Sequence, residues 1–134
     1  MSTSTSTSTS TSTKKMTGRP VTWFEVHTGD PERARSFYGE VFGWAFTPEV
    51  PGYDLIGMGD AAPIGGGMAS TGPAHTPMTV FSVQVPDVSA ALEAVVAAGG
   101  SIVAPLQEAP NGLAFAYIAD PDGSTLGIWT PPPA

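Results

Sequence analysis

The sequence contains no cysteine, and this absence removes several kinds of site at once. Disulfide bonds, thiolate metal sites and a cysteine nucleophile are all excluded. Long apolar segments are lacking too, since no run approaches the roughly 20 residues that a membrane helix needs. The N-terminus has no apolar segment of the kind found in secretory signals. We therefore expect a cytoplasmic protein that does not associate with membranes.

Basic residues are scarce, and all of them lie near the N-terminus. The 134-residue chain has five Lys and Arg against 12 Asp and Glu, a net charge of −7, and no Lys or Arg follows Arg35. Nucleic-acid binding needs clustered Lys and Arg, so nucleic acid is not an expected partner. The charge distribution favours a neutral or cationic ligand, although a role in solubility alone would explain it equally well.

The N-terminal residues differ in composition from the rest of the chain. They alternate Ser and Thr and then carry two lysines before Met16. This low-complexity composition predicts a disordered tail over residues 1–19. The remaining length is enough for one domain with its own core, which we expect over residues 20–131.

The rest of the sequence is built from two similar halves, about 20–72 and 78–131. Five residues of the first half recur 57 residues further along the chain. The pairs are Phe24 and Phe81, Val26 and Val83, Asp30 and Asp87, Ala34 and Ala91, and Gly43 and Gly100. A repeat of this length indicates a duplicated supersecondary motif, with a cleft between the two copies.

Each half predicts a strand, a helix and three further strands. The first half predicts a strand at 21–27, a helix that starts at Asp30 and ends at Gly43, and strands near 44–49, 53–58 and 64–70. The second half predicts a strand at 78–85, a helix from Asp87 to about Ala98, and strands near 101–107, 113–119 and 125–130. The order is βαβββ twice, an α+β fold. The run Gly65-Gly66-Gly67 lacks the Lys-Ser/Thr of a phosphate loop and predicts a close backbone approach or a bulge.

At this point the chain resembles the vicinal oxygen chelate superfamily, which includes glyoxalase I, extradiol dioxygenases, fosfomycin-resistance enzymes and bleomycin-resistance proteins. The matching segments are WFEVHTGDPERARSFYGEVFGW, VFSVQVPDVSAALEAVVAAGG and ADPDGSTLGIW, and the resemblance extends from Pro20 to Trp129. It implies one glyoxalase-like domain of two tandem βαβββ modules, with a cleft in a curved sheet, and a homodimer. Function is left open, because the superfamily includes lyases, isomerases, oxygenases and binding proteins.

The resemblance also implies metal-ligand positions on the first and last strands of each half. Three of these positions carry Trp23, Val80 and Gly127. The fourth depends on loop alignment, but no Asp or Glu occurs in residues 61–86, and none follows Asp122. Because ordinary divalent sites need three or four N, O or S ligands, we predict no metal and no other cofactor.

Alternation along the strands predicts which side chains line the cleft. Since Trp23 stands at a ligand position, it should face the cleft, and so should Glu25 and His27. The second half adds Val80, Ser82, Gln84, Thr125, Gly127 and Trp129. We predict that the ligand is bound by Trp23, Ser82, Gln84, Thr125 and Trp129, because aromatic walls with few polar anchors suit a small molecule.

Glu25 and His27 are the candidate catalytic residues. In an apolar cleft the glutamate should have a raised pKa, and the histidine could shuttle a proton. Side chains two residues apart on a strand lie roughly 6–7 Å from each other, so we expect the pair to flank a substrate without a direct hydrogen bond. Alternatively, Glu25 is a hydrogen-bonded acid, and His27 is a strand-end residue half in water, which is the favoured interpretation for His27. A third possibility is a substitute metal site that adds His75 from the joining loop.

Four functions follow from these observations. The favoured one is a metal-independent protein that binds a small neutral or cationic molecule in an acidic, aromatic cleft, resembling the bleomycin-resistance branch. The second is a metal-free lyase or isomerase with Glu25 as general base. A metal-dependent lyase or dioxygenase is disfavoured by the missing carboxylates, and the last alternative is an interaction module without a ligand.

Overall fold

The computed structural model describes residues 18–72, 74 and 76–133. Residues 1–17, which form most of the predicted tail, lie outside the described residues. So does His75, the third ligand of the substitute metal site. Within the described part of the chain, no helix is long and apolar enough to cross a membrane.

The described residues form eight strands and two helices in the predicted order. The elements of the first half are β1 (Val21–Thr28), α1 (Pro31–Phe42), β2 (Ala45–Val50), β3 (Tyr53–Gly57) and β4 (Gly65–Ser70). Those of the second half are β5 (Met78–Gln84), α2 (Val88–Ala97), β6 (Ser101–Glu108), β7 (Ala114–Ala119) and β8 (Thr125–Thr130). The strand and helix predictions are thus confirmed to within a few residues at each boundary.

Both helices begin at the predicted aspartates. Each aspartate side chain accepts a hydrogen bond from the backbone N–H three residues later, at 3.1 Å for Asp30 and 3.4 Å for Asp87. Pro31 occupies the first turn of α1, where a backbone N–H would have no partner within the helix. Helix α1 ends at Gly43, whose φ of 71° is left-handed and is adopted by glycine without strain.

The eight strands form one curved open sheet in the order β2-β3-β4-β1-β5-β8-β7-β6. The two central strands, β1 and β5, are antiparallel, and each pairs in parallel with the last strand of its own half. The two halves are paired in the same way, because Glu25 lies opposite Gly67, and its repeat partner Ser82 lies opposite Gly127. The predicted α+β fold of two βαβββ modules is confirmed.

Both helices pack on the same face of the sheet and cover two apolar clusters. The cluster under α1 consists of Val26, Ile56 and Met68, with Phe24, Ala34, Tyr38, Trp44, Phe46 and Met58 packed against it. The cluster under α2 consists of Val85, Val88, Ala114, Ala116, Ile118 and Ile128. Because strand residues alternate between faces, Trp23, Glu25 and His27 point to the opposite side. We call that side the open face.

The glycine run of β4 lets aromatic side chains lie directly against the strand. A Cβ built on Gly65 would lie 2.5 Å from the Trp23 ring, and one on Gly66 would overlap the Phe24 ring. No register shift interrupts the pairing of β4 with β1. The prediction of a close backbone approach is therefore confirmed, and the run is not a bulge.

The Phe24 contact predicts a loss of stability for Gly66→Ala. Phe24 is held against Trp44, with ring centroids 5.6 Å apart, so it cannot yield without disturbing the cluster under α1. We expect a loss of about 1–3 kcal/mol in the free energy of unfolding, measured with urea. The matched control is Gly57→Ala in β3, where the new Cβ would lie 3.7 Å from the nearest atom and the change should stay within about 0.5 kcal/mol. Equal losses in the two variants would contradict this account of the run.

Candidate functional site

Glu25 lies at the middle of the open face, on the central strand β1. Its side chain is buried, with 8% of the residue exposed. The neighbouring strands bring Gly67 and Val80 opposite it, and neither residue has a side-chain group that can hydrogen-bond to a carboxylate. A buried carboxylate without hydrogen-bond donors would be strongly unfavourable, so the donors have to come from further away on the sheet.

Three donors converge on the Glu25 carboxylate. The hydroxyl of Tyr53 on β3 donates to Oε2 at 2.7 Å. The hydroxyl of Tyr117 on β7 donates to Oε1 at 2.5 Å. The third partner is Nε2 of His27, 2.9 Å from Oε1. Since an ionised carboxylate only accepts, the histidine donates from Nε2.

The hydrogen bonds decide the charge of Glu25. Burial raises the pKa of its carboxyl, but the hydrogen bonds from His27, Tyr117 and Tyr53 lower it by more, so that the pKa lies below its usual value. The expectation of a raised pKa, based on an apolar cleft, is wrong because the cleft supplies polar hydrogens at the carboxylate. Glu25 is therefore a stable anion at neutral pH.

The two tyrosines remain neutral donors at any ordinary pH. Burial raises the pKa of Tyr53, and the negative charge of Glu25 raises it further. The same two causes raise the pKa of Tyr117. A phenolate beside a buried carboxylate would place two like charges together, which is why both hydroxyls keep their protons.

His27 differs from the interpretation favoured by the sequence. It is buried, with 9% exposed, and is not a strand-end residue half in water. The expected separation from Glu25 is also wrong at the side-chain tips, because the imidazole and the carboxylate lean together into a direct hydrogen bond. The Tyr117 ring meets the imidazole edge-on, with centroids 5.6 Å apart, and holds it in this position.

Two indoles lie beside this cluster. Trp23 and Trp129 have ring centroids 6.2 Å apart and planes tilted by 54°. Trp23 donates from Nε1 to the hydroxyl of Tyr53 at 3.0 Å, which fixes the direction in which that hydroxyl donates. Trp129 donates from Nε1 to Oγ1 of Thr22 at 3.1 Å. Both indole N–H groups are thus satisfied, and the rings offer apolar surface and π-faces.

An open groove of about 570 Å³ lies next to the indoles. Its lining includes Thr22, which is bonded to Trp129, and Gly65, which packs against Trp23. Ile56 and Met58, which belong to the cluster under α1, also line it, together with Asp60.

The remaining predicted binding residues lie on β5 and β8. Ser82 is buried opposite Trp23, and its hydroxyl lies against Gly127. Gln84 ends β5 beside Trp129. Thr125 lies at the start of β8, at the other end of that strand from Trp129. The structure thus brings Ser82 and Gln84 next to the two indoles and leaves Thr125 further along the sheet.

Positive charge is scarce around Glu25. Among the described residues, His27 is the only basic side chain within hydrogen-bond distance of the carboxylate. Arg35 is paired at 2.7 Å with Asp54 on the helix face of β3. Two neutral hydroxyls and one imidazole thus stabilise the charge of Glu25, and within residues 18–72, 74 and 76–133 no Lys or Arg pairs with it.

The positions assigned to a metal do not fit one. The register supplies the fourth position. Gly67 holds the place on β4 that Gly127 holds on β8, and Trp23 and Val80 stand at the other two positions. Trp23 and Val80 have no side-chain atom suited to ligate a divalent ion, and Gly67 and Gly127 have no side chain. Among the described residues, no group of three or more His, Asp or Glu could hold a metal ion.

Sequence reasoning missed Tyr53 and Tyr117, the two donors that hold Glu25. Both lie in predicted strands, and a buried tyrosine hydroxyl normally finds a partner. Strand alternation could have placed Tyr117 on the open face, because its neighbours Ala116 and Ile118 are apolar and lie on the other face of β7. Their convergence on Glu25 depends on the order of the strands in the sheet, which the sequence pattern does not supply.

The lowered pKa of Glu25 predicts a pH-dependent effect of Glu25→Gln. The stability supplied by the ionised carboxylate is complete above the usual pKa of 4.5, and is lost as the pH falls through the lower pKa of the folded state. Near neutral pH the variant should be less stable by about 1.5–3 kcal/mol, the range for hydrogen bonds to a charged group. In urea unfolding this deficit should shrink below pH 4.5. Glu40→Gln, on the exposed surface of α1, is the control, and a deficit that grows in acid would refute the assignment.

Comparison with known proteins places this chain in a family. Residues 21–128 match the model of the glyoxalase/bleomycin resistance protein/dioxygenase superfamily. The protein CFP32 of Mycobacterium tuberculosis is 30% identical over 117 residues, which cover 80% of this chain and 44% of the relative. The chain thus spans less than half the length of this curated relative.

Solved structures share the fold at low sequence identity. The methylmalonyl-CoA epimerase from Mycobacterium tuberculosis has a TM-score of 0.58 and 17% identity, covering 84% of this chain and 88% of that one. The Mn(II)-bound glyoxalase from Novosphingobium aromaticivorans has a TM-score of 0.56 and 19% identity, covering 82% of this chain and 38% of that one. From its match over 21–128, this chain belongs to the glyoxalase/bleomycin resistance protein/dioxygenase superfamily.

Proposed function

We propose that this protein binds a small neutral or cationic organic molecule on its open face, without a metal. The observation that carries the proposal is the buried, ionised carboxylate of Glu25 beside the indoles of Trp23 and Trp129. A fixed anion next to aromatic faces attracts a cation through charge and through the π-systems. Apolar parts of a ligand gain from contact with the same rings.

The electrostatics of the chain support this choice of ligand. The net charge of −7 and the absence of Lys or Arg after Arg35 disfavour an anionic ligand throughout the second half. Within the site, the neutral tyrosines leave the charge of Glu25 uncompensated unless His27 is protonated. Ser82, Gln84 and Thr125 are proposed as further polar contacts to the ligand.

The side chains at the family's ligand positions support independence from a metal. A Cβ at Gly67 would overlap the Tyr53 hydroxyl, and one at Gly127 would lie 2.5 Å from the Ser82 hydroxyl. A carboxylate side chain at position 67 or 127 would therefore have to displace the hydroxyl of Tyr53 or of Ser82. The polar hydrogens of Tyr53 and Tyr117 supply the electropositive contacts to Glu25.

A second candidate function is a metal-free lyase or isomerase with Glu25 as general base. It is favoured by the direct contact of Glu25 with His27, since the pair provides a carboxylate and an imidazole within one hydrogen bond. Three donors and a lowered pKa make the carboxylate a weaker base, however, and so favour binding over catalysis. A metal-dependent lyase or dioxygenase ranks below both.

The homodimer and the cytoplasmic location expected from the sequence remain part of the proposal. Exposed apolar side chains on α1 and β6 are available for contact with a second copy. They are Phe37, Val41, Phe42, Ile102, Val103 and Leu106. No partner is needed to complete the Glu25 cluster, because its donors all come from one chain.

The proposal predicts a charge preference among ligands of one shape. Benzylamine, benzyl alcohol and benzoate differ mainly in charge, and binding is followed by tryptophan fluorescence and backbone amide NMR after dialysis against EDTA. We expect the protonated amine to bind best, the alcohol less well and the carboxylate least. Glu25→Gln should weaken the amine and change the affinity for the alcohol by no more than roughly 1 kcal/mol. Preferential binding of benzoate, or binding that requires added metal, would refute the proposal.

A further inference from the structure

Helix α1 has an apolar flank that nothing in the described part of the chain covers. Phe37 and Val41 lie one turn apart and are 55% and 54% exposed. No residue of this helix is buried, although Ala34 and Tyr38 pack on the cluster beneath it. Two large apolar side chains, each more than half exposed on one flank of a helix, indicate a surface that contacts another molecule.

Two opposite charges lie on the outward side of the same helix. Arg33 and Glu40 are both exposed. They are seven residues apart, close to two full turns, so they lie on one side of the helix with about 10 Å between them along its axis. Phe37 lies between them in this direction. The outward side thus has a cation at one end, an anion at the other and an aromatic ring in between.

Both charges are placed unfavourably for a helix on its own. The N-terminus of a helix attracts anions and its C-terminus attracts cations. Arg33 lies in the first turn of α1 and Glu40 in the last, which is the reverse of this preference. Arg33 pairs with Asp30 only at 3.7 Å, between two largely exposed side chains, and no basic residue with a described position pairs with Glu40. Each charge is therefore available to a partner of opposite charge.

A second copy of α1, running in the opposite direction, supplies both partners. With a two-fold axis between residues 36 and 37, Arg33 of each copy lies opposite Glu40 of the other. The same axis brings Phe37 against Phe37 of the second copy, with both Val41 side chains on that flank. A parallel arrangement would instead place like charges together, so the charge pattern selects the antiparallel one.

The edges of the sheet are less suited to pairing with a second copy. Both edge strands contain a proline, Pro48 in β2 and Pro105 in β6, which has no backbone N–H to donate to another strand. Their pairing with the neighbouring strand also shifts register, after Pro48 in β2 and on both sides of Ala104 in β6. Prolines and bulges of this kind protect sheet edges from extension, which favours the helix surface.

We propose that this protein forms a two-fold dimer through antiparallel packing of α1 from two copies, with Phe37 at the centre and an Arg33–Glu40 ion pair at each end. This inference rests on the homodimer in the proposed function and adds the surface and the orientation. One face of a 12-residue helix is smaller than the roughly 800 Å² that each partner buries in a typical stable complex. We therefore expect a dimer that dissociates on dilution.

The test exchanges the two charges and measures dimerisation by sedimentation equilibrium. Arg33→Glu and Glu40→Arg each place like charges opposite one another, so each variant should dimerise at least about tenfold more weakly than the unaltered protein. The double variant Arg33→Glu/Glu40→Arg restores both ion pairs and should dimerise like the unaltered protein. An equimolar mixture of the two single variants should form a mixed dimer, because each supplies the charges that the other lacks.

The design separates these ion pairs from the overall charge and from folding. The net charge is −7, so Arg33→Glu increases general repulsion between copies and Glu40→Arg decreases it. Weakening by both variants is therefore expected only from paired contacts. Glu93→Arg, at an exposed position of α2, is the control and should not weaken the dimer. In dilute solution, where the protein is monomeric, the urea midpoint of all these variants should be unchanged.

The outcomes distinguish this inference from the proposal on which it rests. A dimer that persists in both single variants, or that the double variant fails to recover, would overturn the inference and leave a homodimer formed by another surface. A protein that stays monomeric up to about 1 mM would overturn the inference together with the homodimer. The proposed ligand site is independent of both results, because the donors to Glu25 come from one chain.

Discussion

The burial of one carboxylate is the constraint on which the open face depends. Removing an ion from water costs several kcal/mol unless hydrogen bonds replace its hydration. Glu25 meets this requirement with donors 28 and 92 residues away in the sequence, one from each half of the repeat. Tyr53 and Tyr117 therefore join the two modules through a single anion. Trp23 and His27 are positioned in turn by their contacts with these two tyrosines.

Glycines on β4 and β8, on either side of the two central strands, make this arrangement possible. Gly67 leaves space for the Tyr53 hydroxyl, and Gly127 leaves space for Ser82 beside Tyr117. The resemblance to the superfamily assigns such positions to metal-ligating carboxylates. In this chain the same places on the sheet hold neutral hydroxyl groups, and the one carboxylate lies on the central strand between them. The fold is thus retained, while the residues at these positions differ from those that the resemblance implies.

Much of the fold could be predicted because its signals are local. The caps Asp30 and Asp87, the stop at Gly43 and the alternation along β1 each depend on residues close in sequence, and the repeat supplied the tandem arrangement. The site was only partly predictable, because it depends on contacts between distant strands. Alternation placed Glu25 and His27 on one face, but it gave no information on which side chains approach from β3 and β7. For that reason the expected pKa shift of Glu25 had the wrong sign.

The most direct test of this account is the pKa of Glu25, measured by NMR titration of its 13C-labelled side-chain carboxyl. Its signal is assigned as the one that disappears in Glu25→Gln. The account predicts a pKa below the usual value of 4.5, because hydroxyl and imidazole donors stabilise the ionised form more than burial disfavours it. A pKa above 4.5 would show that burial dominates and that the carboxyl is a candidate proton carrier, which would contradict the central claim.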